Sequence, residues 1–250
     1  MKGYGELTRA MACSSLREPV GFFFTLVFAP MLLILLGLFF GNAPKPEFGG
    51  LGFVDKTLPA FAALVLAIIG VMMLPQSQLL VRESGALTRF RLTPLRPITW
   101  IAAQLTMHAV LGFVGVVLAL LAGVLCFGVA LPTNVALVLL ACLLGLVAFL
   151  ALGFVLAALY PSTAAAIGIG NGLMIVLMLT SGAFVPLEAL PDGIQRVMSY
   201  SPIAYFVELV RGLWDGQSWS QLGKPTLVLV GMTVICGVLG AALFRWEPRR

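Results

Sequence analysis

The side chains that could perform covalent or metal chemistry are few and scattered in this sequence. His108 is its only histidine, which excludes the paired histidines of a His-Glu-x-x-His zinc site. The cysteines share no ligand-like spacing and lie mostly in apolar runs, which is typical of small buried hydrophobes. They are Cys13, Cys126, Cys142 and Cys236. Ser181 and His108 could form a nucleophile–base pair, but no other feature supports one. We therefore predict no catalytic residue and no metal site, and we interpret His108 as a packing residue rather than a transport or proton-carrying group.

The longest charged interruption of the chain runs from Arg82 to Trp100. It contains one acid, Glu83, and four bases, which are Arg82, Arg89, Arg91 and Arg96. Short loops rich in Lys and Arg stay on the cytoplasmic side of a membrane, so this loop should face the cytoplasm. Gly85 breaks the chain, residues 86–92 can form two helical turns, and Thr93-Pro94 stops them. The arginines could simply bind anionic lipid headgroups, but the ordered Gly-to-Pro pattern favours a short helix that a soluble partner could push.

The segment Glu83-Ser-Gly-Ala-Leu-Thr-Arg-Phe-Arg-Leu-Thr-Pro-Leu95 resembles the coupling helix of the type-2 ABC exporter permeases. That family has Glu, any residue, Gly, a small residue, Leu, two residues, Leu or Phe, Arg, any residue, Thr or Ser, Pro and Leu. The resemblance implies that this segment transmits motion from a separate ATPase subunit. The residues it assigns to ATPase coupling are Arg82, Glu83, Gly85, Leu87, Arg89, Phe90, Arg91, Thr93, Pro94 and Leu95.

The composition is that of an integral membrane protein. Of 250 residues, 60% are hydrophobic and only 10% are charged, against about 25% charged in soluble domains, and the mean hydropathy is +1.07. No polar linker divides the chain, so we predict one domain over residues 1–250. We find neither a Gly-rich phosphate loop nor a cleavable signal peptide, and the length leaves no room for an ATPase domain.

Apolar runs of sufficient length predict an all-helical protein with six membrane spans. The predicted spans are residues 20–40, 58–80, 101–130, 135–159, 164–185 and 226–244. Residues 2–18 have the pattern of a helix lying on the membrane surface. An unstructured basic tail fits the pattern equally well, and the family resemblance favours the surface helix.

The charges predict that both termini are cytoplasmic. The N-terminal segment, the Arg82 loop and the C-terminal tail together hold ten basic residues against four acids. The other side holds five basic residues against six acids. Because Lys and Arg accumulate on the cytoplasmic side, this asymmetry fixes the orientation of a six-span chain.

Residues 186–222 predict an outer hairpin of two short helices that enters the membrane without crossing it. Asp192 could cap one helix, and Ser201-Pro202 reads as the start of a second that Gly216 closes. This element resembles the re-entrant hairpin before the last span of the same permeases, where a Gly and two Pro lead in and an Arg ends it. The matching residues are Gly182, Pro186, Pro191, Pro202 and Arg211.

The fifth predicted span carries small residues at four-residue spacing, Ala164, Gly168 and Gly172, which is typical of close helix packing. Asn171, Thr180 and Ser181 are better candidates for lining a translocation path, because polar groups facing lipid are unfavourable. By resemblance, the second and fifth spans flank that path at the centre of a dimer.

The resemblance implies a permease subunit of an ATP-driven exporter in the plasma membrane of a bacterium. Its expected partners are two ABC ATPase subunits, a second copy of itself or a similar permease, and membrane lipids, without nucleic acid. This chain would bind no cofactor, and ATP and Mg²⁺ would sit on the ATPases. The nearly uncharged spans favour a hydrophobic or amphipathic cargo such as a drug, antibiotic or lipid, which suggests multidrug efflux or antibiotic resistance. Alternatives are export of a lipid-linked glycan or other envelope component, a secondary transporter, or an intramembrane enzyme.

Overall fold

The computed structural model describes residues 4–9, 11, 23–46, 50–85, 97–183 and 192–243. Within these ranges all regular structure is helical and no strand is present. A π-helical turn, Phe23–Val27, leads into α1, and a 3₁₀ turn, Trp219–Leu222, precedes the last helix. The helices are α1 (Phe28–Phe40), α2 (Phe53–Glu83), α3 (Pro97–Phe127), α4 (Val135–Leu159), α5 (Thr163–Thr180), α6 (Asp192–Met198), α7 (Pro202–Trp214) and α8 (Gly223–Leu243).

Five of the described helices are long and apolar enough to cross a membrane. They are α2, α3, α4, α5 and the segment Trp219–Leu243 that contains α8. The helix α1 is apolar but has only 13 residues, and the π-helical turn before it lengthens the continuous helical run to Phe23–Phe40. The prediction of an all-helical membrane protein is therefore confirmed.

Most helix bounds lie within a few residues of the predicted spans. The span predicted at 58–80 lies inside α2, which begins earlier because the Asn42 side-chain oxygen accepts hydrogen bonds from the first-turn amides of Val54 and Asp55 at 3.0 and 3.2 Å. The span predicted at 164–185 corresponds to α5, which ends at Thr180. Residues 20–22 of the first predicted span and residue 244 of the last lie outside the described residues.

The helix α2 is the centre of the bundle. In its most apolar window 89% of the residues are buried, against 11% for Trp219–Leu243. It packs against α1, α3, α4, α5 and α7, and α8 packs chiefly on α4. The last part of α2, Leu74–Glu83, packs chiefly on α4 and α5, so a movement of this end reaches those two helices first.

The crossing of α2 and α4 brings two backbones into direct contact. Gly70 lies in a π-helical segment of α2, Ile68–Met73, and faces the backbone carbonyl of Phe149 in α4. Gly153 in turn faces the backbone carbonyl of Gly70. Only glycine lacks the Cβ that would keep these backbones apart, so the pair sets the closest approach of the two helices.

Candidate functional site

The last turn of α2 is hydrogen-bonded to the short connection between α4 and α5. Arg82 is buried, and its Nη2 donates to the backbone oxygens of Tyr160 and Pro161 at 3.2 and 3.5 Å. Below this contact Leu79 packs with Tyr160 and Ala166 in a small hydrophobic cluster. Burial raises the pKa of the Tyr160 phenol above its usual value. The buried guanidinium of Arg82 thus lies beside a hydrophobic cluster that also includes Ala166 in the first turn of α5.

Glu83 binds the first residue of α5 with both carboxylate oxygens. The Thr163 backbone N–H donates to Oε1 and the Thr163 hydroxyl donates to Oε2, each at 2.7 Å. Ser162 is the N-cap of the same helix, and its hydroxyl accepts from the Ala165 N–H at 3.1 Å. A helix N-terminus has unpaired N–H groups and a partial positive charge, so a carboxylate is favoured there. Glu83 therefore caps a helix 80 residues further along the chain.

The chain leaves this contact through a turn at Gly85. Ser84 is the C-cap of α2. The next residue, Gly85, has a φ of +69°, a left-handed conformation that favours glycine. This glycine directs the chain out of the helix and into the predicted coupling segment. The other residues predicted to contact the ATPase lie outside the described residues: Leu87, Arg89, Phe90, Arg91, Thr93, Pro94 and Leu95.

The N-terminal segment docks near the same end of the bundle. Residues 4–9 are helical, and the hydroxyls of Tyr4 and Thr106 of α3 lie 2.7 Å apart. Most of the remainder of the predicted surface helix at residues 2–18 lies outside the described residues. A single side-chain hydrogen bond across 102 residues therefore places the described part of this segment against α3.

A buried polar cluster links α2 to α3 one to two turns before Arg82. The Gln104 side-chain amide donates to the Ser77 hydroxyl at 2.9 Å. The His108 Nδ1–H donates to the Gln104 backbone oxygen at 2.9 Å, which leaves its Nε2 as an acceptor 3.4 Å from the Ser77 hydroxyl. His108 thus joins a packed hydrogen-bond network, in line with its interpretation as a packing residue.

At the other end of the bundle α7 is hydrogen-bonded to α2 and to the α3–α4 connection. Arg211 of α7 donates from Nη2 to the backbone oxygen of Lys56 in the first turns of α2 at 2.6 Å. Trp214 donates from Nε1 to the Ala130 oxygen in the α3–α4 connection at 3.0 Å. Pro202 is the first residue of α7, and Gly182 follows the end of α5, whereas Pro186 and Pro191 lie outside the described residues.

A cavity of about 390 Å³ lies between α6, α7 and the 3₁₀ turn. Its charged lining residues are Glu208, Arg211 and Asp215. Across the described ranges, no group of three His, Cys, Asp or Glu side chains is placed to hold a metal ion.

A sequence model of the family described as ABC-2 type transporter matches residues 4–214. The chain belongs to the ABC-2 type transporter family. The match covers α1 to α7, including the contact between α2 and α5 and the contact of α7 with α2. The resemblance identified from the Glu83–Leu95 motif is thereby confirmed, and the chain is a transmembrane permease of this family.

Two relatives of this ABC-2 chain carry names of the same kind. It is 32% identical over 169 residues to the "Putative transport permease YvfS" of Bacillus subtilis (strain 168), a match covering 66% of each chain. It is 28% identical over 204 residues to the "Putative transport permease ycf38" of Cyanophora paradoxa, covering 77% of this chain and 68% of the relative. The matches thus span about two thirds of the length of these relatives.

The three candidate path residues of the ABC-2 chain lie in different environments. Asn171 is exposed on α5. Thr180 is buried, with its hydroxyl 3.1 Å from the Leu177 oxygen and 3.0 Å from the Ser201 hydroxyl at the start of α7. Ser181 is 1% exposed and donates to the Met178 oxygen at 2.7 Å. Thr180 and Ser181 therefore hold the end of α5, and of the three residues only Asn171 is exposed.

Sequence reasoning did not identify Tyr160, Thr163 and Lys56 as partners of the predicted site residues. Tyr160 and Lys56 contribute backbone oxygens, which every residue possesses, so their identity carries no signal. Thr163 offered one weak signal. It is the first residue of a helix, where amides lack partners within the helix, and Glu83 is an acid at the end of another.

Proposed function

We propose that this chain is the permease subunit of an ATP-driven exporter that moves a hydrophobic or amphipathic substrate out of a bacterial cell. The observation that carries the proposal is the end of α2. There the Glu83–Leu95 motif of an ABC-2 chain begins within the last turn of the helix, and Gly85 ends the helix two residues later. Such a position suits a segment that receives force from a soluble subunit and passes it to a buried central helix.

The proposed topology has six crossings, with Phe23–Phe40 contributing to the first. Its 18 residues span about 27 Å at 1.5 Å per residue, which approaches the roughly 30 Å hydrocarbon core. With six crossings both termini lie on one side, and the excess of basic residues there favours the cytoplasm. In this orientation α6 and α7 form the outer hairpin in the plasma membrane.

The proposed assembly contains two permease chains and two ATPase subunits. The second permease is a copy of this chain or a similar subunit, and the ATPases bind ATP and Mg²⁺. The loop of residues 82–97 and the N-terminal helix are the parts through which we expect the ATPases to act on the permease. Closure of the ATPases around ATP would push these segments and rearrange the spans around them.

The low charge of the membrane helices supports the proposed class of substrate. From Pro97 to Phe127, from Val135 to Leu159 and from Thr163 to Thr180 there is no Asp, Glu, Lys or Arg. A charged cargo would cross such surroundings without a compensating partner, which is unfavourable. Drugs, antibiotics and lipids fit these surroundings, and so does the lipid part of an envelope precursor, which is the alternative cargo.

The test is isolation of the tagged chain in mild detergent, followed by mass spectrometry of the proteins bound to it. We expect a soluble ATPase in equal molar amount. Leu87→Asp and Arg91→Glu should release it, whereas Ser84→Ala, at an unconstrained position of the motif, should retain it. Recovery of the intact chain without an ATPase would refute the proposal and favour a secondary transporter.

A further inference from the structure

We propose that Arg82 and Glu83 act inward, as positioning residues that fasten the coupling loop to the start of α5. This inference rests on the proposed function, because it names the helix that the ATPase would move through the loop. The remaining motif residues, from Leu87 to Leu95, are left to face the ATPase. The beginning of the motif thus contacts α5, and the part from Leu87 to Leu95 is assigned to contact with the ATPase.

The placement of Glu83 supports this division. A carboxylate in the last turn of its own helix lies at the negative end of the helix dipole, which is unfavourable. The same carboxylate lies at the positive end of α5, where it accepts the Thr163 amide and hydroxyl. Its strongest interactions are therefore the two hydrogen bonds with α5, and the neighbouring Arg82 of its own helix adds a smaller attraction.

The hydrogen bonds of Arg82 restrict the movement of α2 relative to α5. Its buried guanidinium donates to two successive backbone oxygens of the α4–α5 connection, at Tyr160 and Pro161. Two adjacent residues of α2 thus hold three of the four residues from Tyr160 to Thr163, on both sides of Ser162. A contact at several points resists rotation as well as separation, so displacement of the last turn of α2 carries the first turn of α5 with it.

The contact made by Arg82 and Glu83 joins the loop directly to α5, because no loop residue separates Thr163 from the rest of that helix. Thr163 is the first residue of α5, and Ser162 caps that helix. On the loop side, Gly85 follows Glu83 by two residues. A push on the loop therefore reaches α5 through one turn of α2. A chain lacking the Glu83 contact would keep the Arg82 bonds to the Tyr160 and Pro161 oxygens, but no side chain of α2 would then hold the first residue of α5 itself.

The experiment uses the complex of this chain with its ATPase, carrying one fluorescent probe on α5. Gly168→Cys, in a chain whose four native cysteines are replaced by Ala, provides the labelling site. Gly168 is exposed and a Cβ there meets no atom within 4 Å. The readouts are the amount of ATPase bound and the change in probe fluorescence between the nucleotide-free complex and the complex trapped with ATP and vanadate.

We expect Glu83→Gln and Thr163→Val to reduce the nucleotide-dependent change at least threefold while the ATPase stays bound in equal amount. Thr163→Ser keeps both donors and should restore the wild-type change, and Ser84→Ala should leave it unaltered. Both variants remove the bond from the Thr163 hydroxyl to Oε2, whereas the backbone N–H of residue 163 can still donate to Oε1. The double variant should therefore be no worse than Glu83→Gln alone.

Two results would overturn the inference. One is an unchanged fluorescence response in Glu83→Gln. The other is release of the ATPase by Glu83→Gln, which would place Glu83 in the docking surface. Failure of the proposed function is a separate result, since there the wild-type chain itself would bind no ATPase.

Discussion

Replacing Gly153 with Ala tests the backbone contact between α2 and α4. The added methyl group would meet the backbone oxygen of Gly70 and lie 3.0 Å from both the Gly70 carbonyl carbon and a methyl of Leu74. The Leu74 side chain can rotate away, but the carbonyl belongs to the central helix and cannot. The two helices must therefore separate or bend to accept one carbon atom.

The expected cost follows from two opposing terms. Overpacking a well-packed interior destabilises by about 1–3 kcal/mol, whereas Gly→Ala in a helix stabilises by about 1 kcal/mol through helix propensity. Gly237 of α8 is a matched control, because it is exposed in a helix and a Cβ there meets nothing within 4 Å. The propensity term cancels between the two variants, so Gly153→Ala should be less stable than Gly237→Ala by about 1–3 kcal/mol. This is a factor of about 5 to 150 in the folding equilibrium.

The assay is unfolding of both purified variants in detergent micelles by added dodecyl sulfate, followed by tryptophan fluorescence. Gly153→Ala should unfold at a lower mole fraction of dodecyl sulfate than Gly237→Ala, and Gly237→Ala at a mole fraction equal to or higher than that of the wild type. Equal midpoints for the two variants would refute the reasoning, since the helices would then have accepted the methyl group without loss.

Three further predictions concern the two ends of the bundle. Arg211→Met should lower the unfolding midpoint by an amount worth about 1–3 kcal/mol, because it removes the charged donor to the Lys56 oxygen. Ser77→Ala should cost about 1–3 kcal/mol in the same assay, because the buried Gln104 amide loses its acceptor. Asp215→Cys, at an exposed position beyond α7, should react with a membrane-impermeant maleimide added outside intact cells.

Each of these predictions has its own control and its own contrary result. Arg211→Lys keeps the positive charge but lacks the guanidinium group. If both variants were as stable as the wild type, the hydrogen bond from Arg211 to the Lys56 oxygen would not contribute to stability. Ser84→Ala is the exposed counterpart of Ser77→Ala, and equal effects would mean that the buried network is unimportant. Labelling of Asp215→Cys only after the cells are opened would place α7 on the cytoplasmic side and overturn the six-span topology.

Local sequence signals anticipated much of the helical architecture. Uninterrupted apolar runs indicated membrane helices, which needed only composition and length. Ser201-Pro202 indicated the start of a helix, and α7 begins at Pro202 with Ser201 as its N-cap. These features depend on residues within a few positions of one another, so a single sequence contains them.

The contacts that join distant helices could not be predicted in the same way. Arg211 and Lys56 are 155 residues apart, and Glu83 and Thr163 are 80 apart. In the first pair the acceptor is a backbone oxygen, and the arginine alone indicates only that some acceptor exists. The π-helical segment of α2 had no signal either, because the sequence from Ile68 to Met73 is that of an ordinary apolar helix.

The contact between Arg82 and Tyr160 also has a consequence for biosynthesis. The two residues are separated by 78 positions, so a ribosome adding about 5–20 residues per second makes Tyr160 about 4–16 s after Arg82. During that interval the guanidinium must remain in the hydrated boundary of the bilayer, because its final acceptors do not yet exist. The helix α2 is thus synthesised seconds before Arg82 can form its final hydrogen bonds. A ribosome that stalls between the two residues leaves a chain in which α2 lacks the contact of Arg82 with the α4–α5 connection.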